Sequence, residues 1–390
     1  MGDVILVINS GSSSIKFSLF AIHEKQLDLL YHGQIEDLYE SPMMTILNGS
    51  HAQIVKQDIT IQGHEAGLKA FFNWFEHLSN PMSLKAVGHR VVHGGTFFFH
   101  PTLITDETMK EMASLIPLAP LHQPHNLEPV KIINALYPKL PQVACFDTTF
   151  HRTQAKLAML FALPKALTNE GVIRYGFHGI SYEYISSIIT QHIGELGNQR
   201  VIMAHLGNGS SMCAMYQRKS VATSMGFTAL DGLMMGTRCG RIDPGVILYL
   251  IEEKKYSVKK VEHLLYNESG LLGVSGISND LRELLASHDI NAQIAIDLFC
   301  YRAALEAGSL CVALNGCDAI VFTAGIGEHA ALVRKKICEY LSWLGIKINE
   351  KANESNSTII TEKDSAIVVC MIPTNEELMI AKHTKITLQL

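Results

Sequence analysis

The sequence lacks long hydrophobic runs, closely spaced cysteine pairs and a strong excess of either charge. No apolar run approaches the roughly 18 residues that a membrane-spanning helix needs. None of the 8 cysteines forms a C-x-x-C pair and no H-E-x-x-H motif occurs, which argues against a zinc or other transition-metal enzyme. The formal charge of −5 argues against a nucleic-acid binder or a basic membrane-surface protein. We therefore expect a cytoplasmic protein with reduced thiols and with neither nucleic acid nor membrane as a partner.

The length and the composition instead favour a globular protein of two domains. The 390 residues exceed the size of one ordinary domain, about 100–200 residues, and 47% of them are apolar. The pattern along the chain is mixed α/β. Residues 292–314 carry apolar side chains at helical spacing and end at Asn315-Gly316, which predicts a helix. Residues 318–328 predict a buried strand followed by a glycine turn.

Two segments predict similar hairpins. Residues 4–20 combine an apolar run, a turn of Asn, Gly and Ser, and an alternating strand. Residues 201–216 repeat this pattern, and an ungapped alignment places Val4 on Val201 at an offset of 197. The repeat could be accidental, or it could reflect a duplicated domain with like halves that face one shared cleft. Such turns present backbone N–H groups and hydroxyls, which suit phosphate oxygens.

Several polar residues lie where they could carry chemistry. Lys16 either neutralises nucleotide phosphate or is a solvated strand residue. Arg90, in an apolar strand, is either an anchor for a small carboxylate or part of a structural ion pair. Asp147 ends a strand and could position an arginine, hold magnesium, act as a base or cap a helix. His178, between glycines, is either a donor to a phosphoryl oxygen or a structural histidine. One of the two arginines of the loop 236–245 is a candidate for holding the phosphoryl oxygens.

Ordered motifs along nearly the whole chain resemble those of the acetate kinase family, the acetate and propionate kinases. They are NSGSSSIK at 9–16, GHRVVHGG at 88–95, FDT at 146–148, GFHG at 176–179, HLGNG at 205–209, MGTR at 235–238, SGISNDLR at 275–282, FTAGIGE at 322–328 and PTNEE at 373–377. The resemblance implies an α/β protein with a duplicated ribonuclease H-like or actin-like ATPase fold, in two domains with an interdomain active-site cleft.

The resemblance also implies the domain limits and the reaction. Residues 1–148 plus 377–390 would form the N-terminal domain. Residues 149–376 would form the C-terminal domain, which binds nucleotide and carries the interface of a homodimer. The implied reaction is direct, reversible in-line phosphoryl transfer from ATP to acetate, giving acetyl phosphate and ADP, with Mg²⁺ or alternatively Mn²⁺. Propionate or another short carboxylate is the alternative acceptor, and a non-catalytic, nucleotide-binding scaffold of the actin-like fold is the alternative function.

The family pattern assigns a role to each matching residue of this sequence. The catalytic residues would be Asp147, His178 and Arg238, and the metal ligands would be Asn9 and Glu376. Substrate would contact Arg90, Val92, Leu121, His122 and Phe177. The nucleotide would contact Lys16, His205, Leu206, Gly207, Asn208, Gly209, Asp280, Leu281, Arg282, Gly325, Ile326, Gly327, Glu328 and His329.

Chemistry and a few departures from the family pattern refine these expectations. A carboxylate acceptor is already an anion, so we favour Asp147 as an orienting residue over Asp147 as a base. Val92 in the expected methyl pocket favours acetate. Ala229, where the family usually has proline, opens space for propionate. Gln123, Tyr182, Cys239, Arg241 and His329 also depart from the usual residues, and none of them belongs to the catalytic set.

Overall fold

The computed structural model describes residues 2–390, whose contacts divide the chain into two compact units. The first unit is Met1–Thr149 with Asn375–Leu390, and the second is Phe150–Thr374. The sequence-based limits placed Thr149, Asn375 and Glu376 in the second domain, whereas here they lie in the first unit. The difference at the C-terminal limit arises because the last helix begins at Glu376, is capped by Asn375, and packs on strands of the first unit.

The first unit is built on one mixed sheet of eight strands within residues 2–390. Its strand order is β5-β4-β3-β2-β1-β6-β8-β7. The apolar run Val4–Ile8 lies in the middle of this sheet and is buried on both faces, as its continuous hydrophobicity predicts. The strands are β1 Gly2–Ser10, β2 Ile15–Ile22, β3 Leu27–Glu36, β4 Met43–Asn48, β5 Gln53–Asp58, β6 Met82–Val91, β7 Thr102–Leu103 and β8 Gln142–Phe146.

The second unit has a smaller mixed sheet with helices that supply most of its core. Its strands are β9 Val201–Leu206, β10 Ser210–Tyr216, β11 Lys219–Thr223, β12 Ala319–Thr323 and β13 Val368–Met371. The helices of the chain are α1 His64–Glu76, α2 Asp106–Ser114, α3 Gln123–Leu136, α4 Lys156–Met159, α5 Lys165–Asn169, α6 Gly179–Ile193, α7 Pro244–Glu252, α8 Val258–Asn267, α9 Gly270–Ser275, α10 Leu281–Ala286, α11 Ile290–Leu314, α12 Ala324–His329, α13 Ala331–Tyr340, α14 Glu350–Glu354 and α15 Glu376–Leu388. Short 3-10 turns span Ile116–Leu118, Thr149–Thr153, Gly194–Asn198 and Ser342–Leu344.

The two sheets share one topology, which confirms the duplicated fold. In the first unit β3, β2 and β1 are antiparallel neighbours, and β6 and β8 follow in parallel with β1. In the second unit β11, β10, β9, β12 and β13 repeat this order and these directions. Each half therefore consists of a three-stranded meander extended by two parallel strands.

The turns of the two hairpins differ in length, so the structure does not preserve the ungapped alignment of the two segments at an offset of 197. The first hairpin closes at the pair Ser10 and Ile15, and the second closes at Leu206 and Ser210. The last paired residues of the first strands are thus 196 positions apart, and the first paired residues of the second strands are 195 apart. A turn of three residues, 207–209, replaces a turn of four residues, 11–14, and this shifts the second strand.

The last helix, α15, closes the core of the first unit. It packs on β1 and β6, where Gly88 leaves room for Thr384 and Ile380. A side chain at Gly88 would collide with Thr384 Oγ1 and would lie 2.7 Å from Ile380 Cγ2. Among residues 2–390, no helix combines the length and the apolar character that crossing a membrane requires.

Candidate functional site

The candidate site residues of the first unit converge on Arg90, near the end of β6. Arg90 Nε donates to Asp147 Oδ1 at 3.0 Å and Arg90 Nη2 donates to Asp147 Oδ2 at 2.6 Å, a bidentate pair. The Asp147 side chain is 2% exposed and that of Arg90 is 20% exposed, so the pair is largely buried. Burial alone would lower the pKa of Arg90, but Asp147 and Glu376 outweigh it and raise that pKa above its ordinary value. Arg90 is therefore a fixed cation.

Two further oxygens face the same guanidinium. Arg90 Nη1 lies 3.5 Å from Asn9 Oδ1 and 3.7 Å from Glu376 Oε2. Asn9 is paired with Lys16 across the first hairpin, so the exposed lysine belongs to this region. Burial and the charge of Glu376 raise the pKa of Glu377. The first unit thus gathers cations and carboxylates beside the turn 11–14.

The backbone around Arg90 is fixed by a polar side chain of α3. Asn126 Oδ1 accepts from the N–H of buried Val92 at 2.9 Å, and Asn126 Nδ2 donates to the Ser10 carbonyl at 2.8 Å. One amide therefore ties the segment after β6 to the first turn. Leu121 is exposed and His122 is half-buried just before α3.

In the second unit, His178 is held by a chain of buried hydroxyls. Its Nδ1 is hydrogen-bonded to Ser211 Oγ at 2.8 Å, and Tyr182 Oη is hydrogen-bonded to the same Oγ at 2.5 Å. The His178 ring stacks on His205 at 4.2 Å, and His205 Nδ1 is hydrogen-bonded to Ser181 Oγ at 2.8 Å. His178 has a left-handed backbone, φ 57°, and caps α6.

His178 and Arg238 converge on a glycine of the turn 207–209. A Cβ at Gly209 would lie 3.2 Å from His178 Nε2 and 4.0 Å from Arg238 Nη1. Arg238 Nη1 also donates to the Ala229 carbonyl at 2.9 Å, which sets its direction. The Asn208 carbonyl accepts from Gly236 N–H at 3.0 Å and joins this turn to the loop of Arg238. A donor pair over a side-chain-free turn is suited to a phosphoryl group.

A cavity of about 410 Å³ in the second unit gathers many of the predicted nucleotide residues. It is lined by Gly207, Asn208, Asp280, Leu281, Arg282, Gly325, Ile326 and His329, which were predicted, and by Asn279, Leu285 and Ala330, which were not.

The other predicted nucleotide residues do not line this cavity. Leu206 and Gly327 are buried, and Lys16 belongs to the first unit. Glu328 Oε1 accepts from Ala324 N–H at 2.8 Å and from Thr374 N–H at 3.1 Å, so that carboxylate closes a turn. Gly209 and His205 lie at the His178 cluster instead. Phe177, a predicted substrate residue, is 1% exposed, and its carbonyl accepts from His151 Nε2 at 2.9 Å.

Residues outside the predicted set support the site. Ser211 and Tyr182 hold His178, and fully buried Gln123 clamps the His93 backbone with bonds of 3.1 and 3.0 Å. Fully buried Arg334 donates to the carbonyls of Gly327 and Glu328 at 2.9 and 2.8 Å, beside the cavity. In the sequence, Gln123 and Tyr182 stand out only because they differ from the residues usual in the acetate kinase family. Arg334 lies in a charged helix, α13, that resembles a solvated one.

Known proteins resemble this chain over nearly its whole length. The model of the acetokinase family matches residues 4–382. The acetate kinase of Rhodopseudomonas palustris is 50% identical over 391 residues, which cover 98% of each chain. Among solved structures, a propionate kinase of Francisella tularensis has a TM-score of 0.91 at 38% identity, covering 98% of this chain and 99% of that one. The acetate kinase of Porphyromonas gingivalis has a TM-score of 0.89 at 35% identity, covering 99% and 100%.

These likenesses, with the repeated sheet topology, define a class of protein. The chain is a phosphotransferase with the two-domain, actin-like ATPase fold. Within that class it belongs to the acetokinase family.

Proposed function

We propose that this chain transfers the γ-phosphoryl group of ATP to acetate, reversibly and with Mg²⁺, giving acetyl phosphate and ADP by direct in-line transfer. The observation that carries this proposal is the convergence of His178 Nε2 and Arg238 Nη1 on Gly209. Fixed donors at a turn without a side chain stabilise the charge that spreads over phosphoryl oxygens in the transition state. The acetate kinases among the relatives support acetate as the acceptor.

Arg90 would bind the acceptor carboxylate. Its planar guanidinium stays charged, Asp147 holds Nε and Nη2, and the side chain keeps 20% of its surface exposed. Because acetate is already an anion, the obstacle is the approach of two negative groups rather than a proton transfer. The bidentate pair supports Asp147 as the residue that orients Arg90.

Asn9 and Glu376 would hold Mg²⁺. Both oxygens face the cationic Arg90 Nη1, so their arrangement already suits a positive charge, and amide and carboxylate oxygens are ligands that Mg²⁺ accepts. When bound, the ion neutralises charge on the β- and γ-phosphates. Mn²⁺ prefers similar ligands and is the alternative ion.

The cavity beside Gly207 and Gly325 would hold the nucleotide. Its volume of about 410 Å³ falls in the range of small-molecule pockets, about 300–1,000 Å³. Asp280 caps α10 by accepting from Arg282 N–H at 2.8 Å and pairs with the Arg282 guanidinium, so the rim of the cavity is ordered. Lys16, on the first hairpin, would add charge for the phosphates.

Acetate is the expected acceptor, and propionate is the alternative, favoured by the Francisella tularensis relative. Buried Val92, two positions after Arg90, favours the smaller acid, whereas alanine at position 229 favours tolerance of propionate. One methylene changes transition-state binding by only about 1–3 kcal/mol, so some propionate activity is expected.

One assay distinguishes these functions from a non-catalytic scaffold. The purified protein is incubated with Mg²⁺-ATP, hydroxylamine and acetate, propionate or butyrate, and the acyl phosphate is trapped as a hydroxamate. We expect the highest kcat/KM with acetate, loss of product in Arg90→Ala, and retention in Arg218→Ala, which alters an exposed turn. Nucleotide binding without hydroxamate from any acid would support the scaffold. A clear preference for propionate would reverse the choice of substrate.

The chain would act as a homodimer in the cytoplasm. Helix α7 supports the dimer, since Val246, Leu248 and Tyr249 are apolar or aromatic and exposed. The location is supported by the eight free cysteines, since disulfides are typical of oxidising compartments.

A further inference from the structure

Two histidines and a glutamate gather in the first unit, apart from the residues assigned to phosphoryl transfer. His64 begins α1, and His125 and Glu128 lie three positions apart on α3. One ring nitrogen of each histidine and one carboxylate oxygen of Glu128 lie within 4.8 Å of one another. The His64 side chain is fully buried and that of Glu128 is 43% exposed, so the cluster has a closed base and an open side.

The hydrogen bonds of His64 leave the lone pair of its Nδ1 facing the carboxylate of Glu128. His64 Nε2 lies 2.9 Å from the Gly11 carbonyl, which can only accept, so Nε2 carries the proton. In the neutral ring, Nδ1 then presents a lone pair, 3.3 Å from Glu128 Oε2 and 3.0 Å from Tyr39 Oη. The Tyr39 hydroxyl can donate to Nδ1, but the carboxylate cannot. A positive charge between Nδ1 and Glu128, either a second proton or a metal ion, removes this conflict.

His125 favours the metal ion. The Nδ1 atom of His125 is buried and has no hydrogen-bond partner. A second proton on His64 would leave this atom without a partner, whereas a metal ion would bind it. The two rings are nearly parallel, at 14°, with centroids 5.8 Å apart.

We propose that His64, His125 and Glu128 bind a divalent transition-metal ion of the Zn²⁺ type. Two imidazoles and one carboxylate are a common protein ligand set for zinc, with a fourth position left for water or a hydroxyl such as that of Tyr39. Ligands about 2.0–2.2 Å from a tetrahedral ion stand about 3.3–3.5 Å apart, which His64 Nδ1 and Glu128 already match. The His125 nitrogen lies within 4.8 Å of the other two ligand atoms and would have to move closer by a side-chain rotation. The bond from His64 Nε2 to Gly11 is the kind of outer contact that fixes a ligand ring.

Such an ion would stabilise the first unit rather than take part in phosphoryl transfer. It would join α1 to α3, and through His64 it would fix the turn 11–14. Asn126, next to His125, already bonds the Ser10 carbonyl, so α3 would be held to the same turn at two points.

The test measures thermal unfolding and metal stoichiometry in excess Mg²⁺, which occupies magnesium sites. Micromolar ZnCl₂ should raise the Tm by about 5 °C or more once it exceeds the dissociation constant a hundredfold, and a zinc-selective chelator should reverse the rise. CoCl₂ should give the visible absorption of a tetrahedral site. His125→Ala and Glu128→Gln, which alter the open side, should abolish the Tm rise and the absorption and should keep phosphoryl transfer in Mg²⁺.

A matched control is the exposed pair of His263 and Glu268, which lie 3.3 Å apart without a third ligand among the described residues. His263→Ala should keep the full response to zinc and cobalt. The proposal is overturned if the wild-type protein binds no zinc at micromolar concentration. It is equally overturned if the His125 and Glu128 variants respond as the wild type does. Because the readouts are stability and absorption, failure of the proposed kinase function would leave this test intact.

Discussion

At the scale of single residues, the neighbours of each arginine determine what it can do. Arg90 is fixed by Asp147, and its side chain is 20% exposed. Arg334 is fully buried among carbonyl and amide oxygens, and burial lowers its pKa. Because it donates to a carbonyl of α12, its role is to stabilise that helix. Arg238 is directed by a backbone carbonyl towards Gly209. Of these three arginines, Arg238 is the one whose guanidinium reaches a turn without a side chain, where it could bind a phosphoryl group.

Arg238→Ala should lower turnover by at least about 10³-fold, the low end for an arginine that stabilises a phosphoryl-transfer transition state. The measurement is kcat in the hydroxamate assay. The control is Arg241→Ala in the same loop, since Arg241 pairs with Glu306 at 3.1 Å and should affect stability more than turnover. Near-wild-type turnover in Arg238→Ala would refute the role assigned to it.

Asp147→Asn should lower kcat/KM for acetate by about 10²-fold, because a misdirected Arg90 misplaces the acceptor. If Asp147 orients Arg90, the pH dependence of kcat/KM should keep its shape in the variant. If Asp147 is a base, one limb of that profile should disappear. Asp318→Asn is the control, because Asp318 forms a comparable bidentate pair with Arg200 in the second unit.

The sequence indicates which residues carry charge into the site but not how they are paired. Arg90 in an apolar strand needs a partner, and positioning an arginine was one of four roles considered for Asp147. The choice needs the fold, because the two residues are 57 positions apart and meet only when β6 and β8 are neighbours. The partner of His178 also depends on the fold, because Ser211 lies on β10 and His178 lies at the start of α6.

At the scale of elements, a long helix with a regular apolar pattern can be predicted from the sequence, whereas a short turn closed by one side chain cannot. The helix expected over 292–314 is observed as α11, Ile290–Leu314, and ends at Asn315 with a left-handed φ of 54°. The glycine turn expected after β12 is instead the short helix α12. Ala324, with φ 65°, and the Glu328 carboxylate close it, and a sequence pattern does not show such a closure.

Gly88→Ala should destabilise the protein by about 1–3 kcal/mol, because the added methyl overpacks the contact between β6 and α15. Urea unfolding measures the change. Gly308→Ala is the matched control in the interior of α11, where a Cβ would meet nothing within 4 Å. That variant should gain about 0.5–1 kcal/mol from helix propensity. Equal effects from the two substitutions would contradict the packing argument.

At the scale of the whole molecule, duplication explains why residues of similar chemistry recur in both units. Each unit offers a turn after its first strand, and each turn lies beside cationic side chains. The first unit adds carboxylates and the second unit adds a cavity. The repeat was predictable from hydrophobic pattern and turn composition. The exact register was not, because it depends on one residue of turn length.

If the proposed homodimer is formed through α7, Leu248→Asp should give a monomer, because a carboxylate on the exposed apolar face of α7 cannot be buried without a partner. Analytical ultracentrifugation over a range of concentrations measures the result. Leu157→Asp is the control, since Leu157 is 86% exposed on the short helix α4 and should leave assembly unchanged. A Leu248→Asp protein that remains dimeric would exclude α7 from the interface.

The return of α15 to the first unit has a consequence for how the protein forms during synthesis. The ribosome makes all of the second unit before it makes the helix that covers β1 and β6. The first sheet therefore lacks the cover of α15 around Gly88 for the whole time in which the second unit is synthesised. We expect the N-terminal sheet to depend on chaperones until α15 is released from the ribosome.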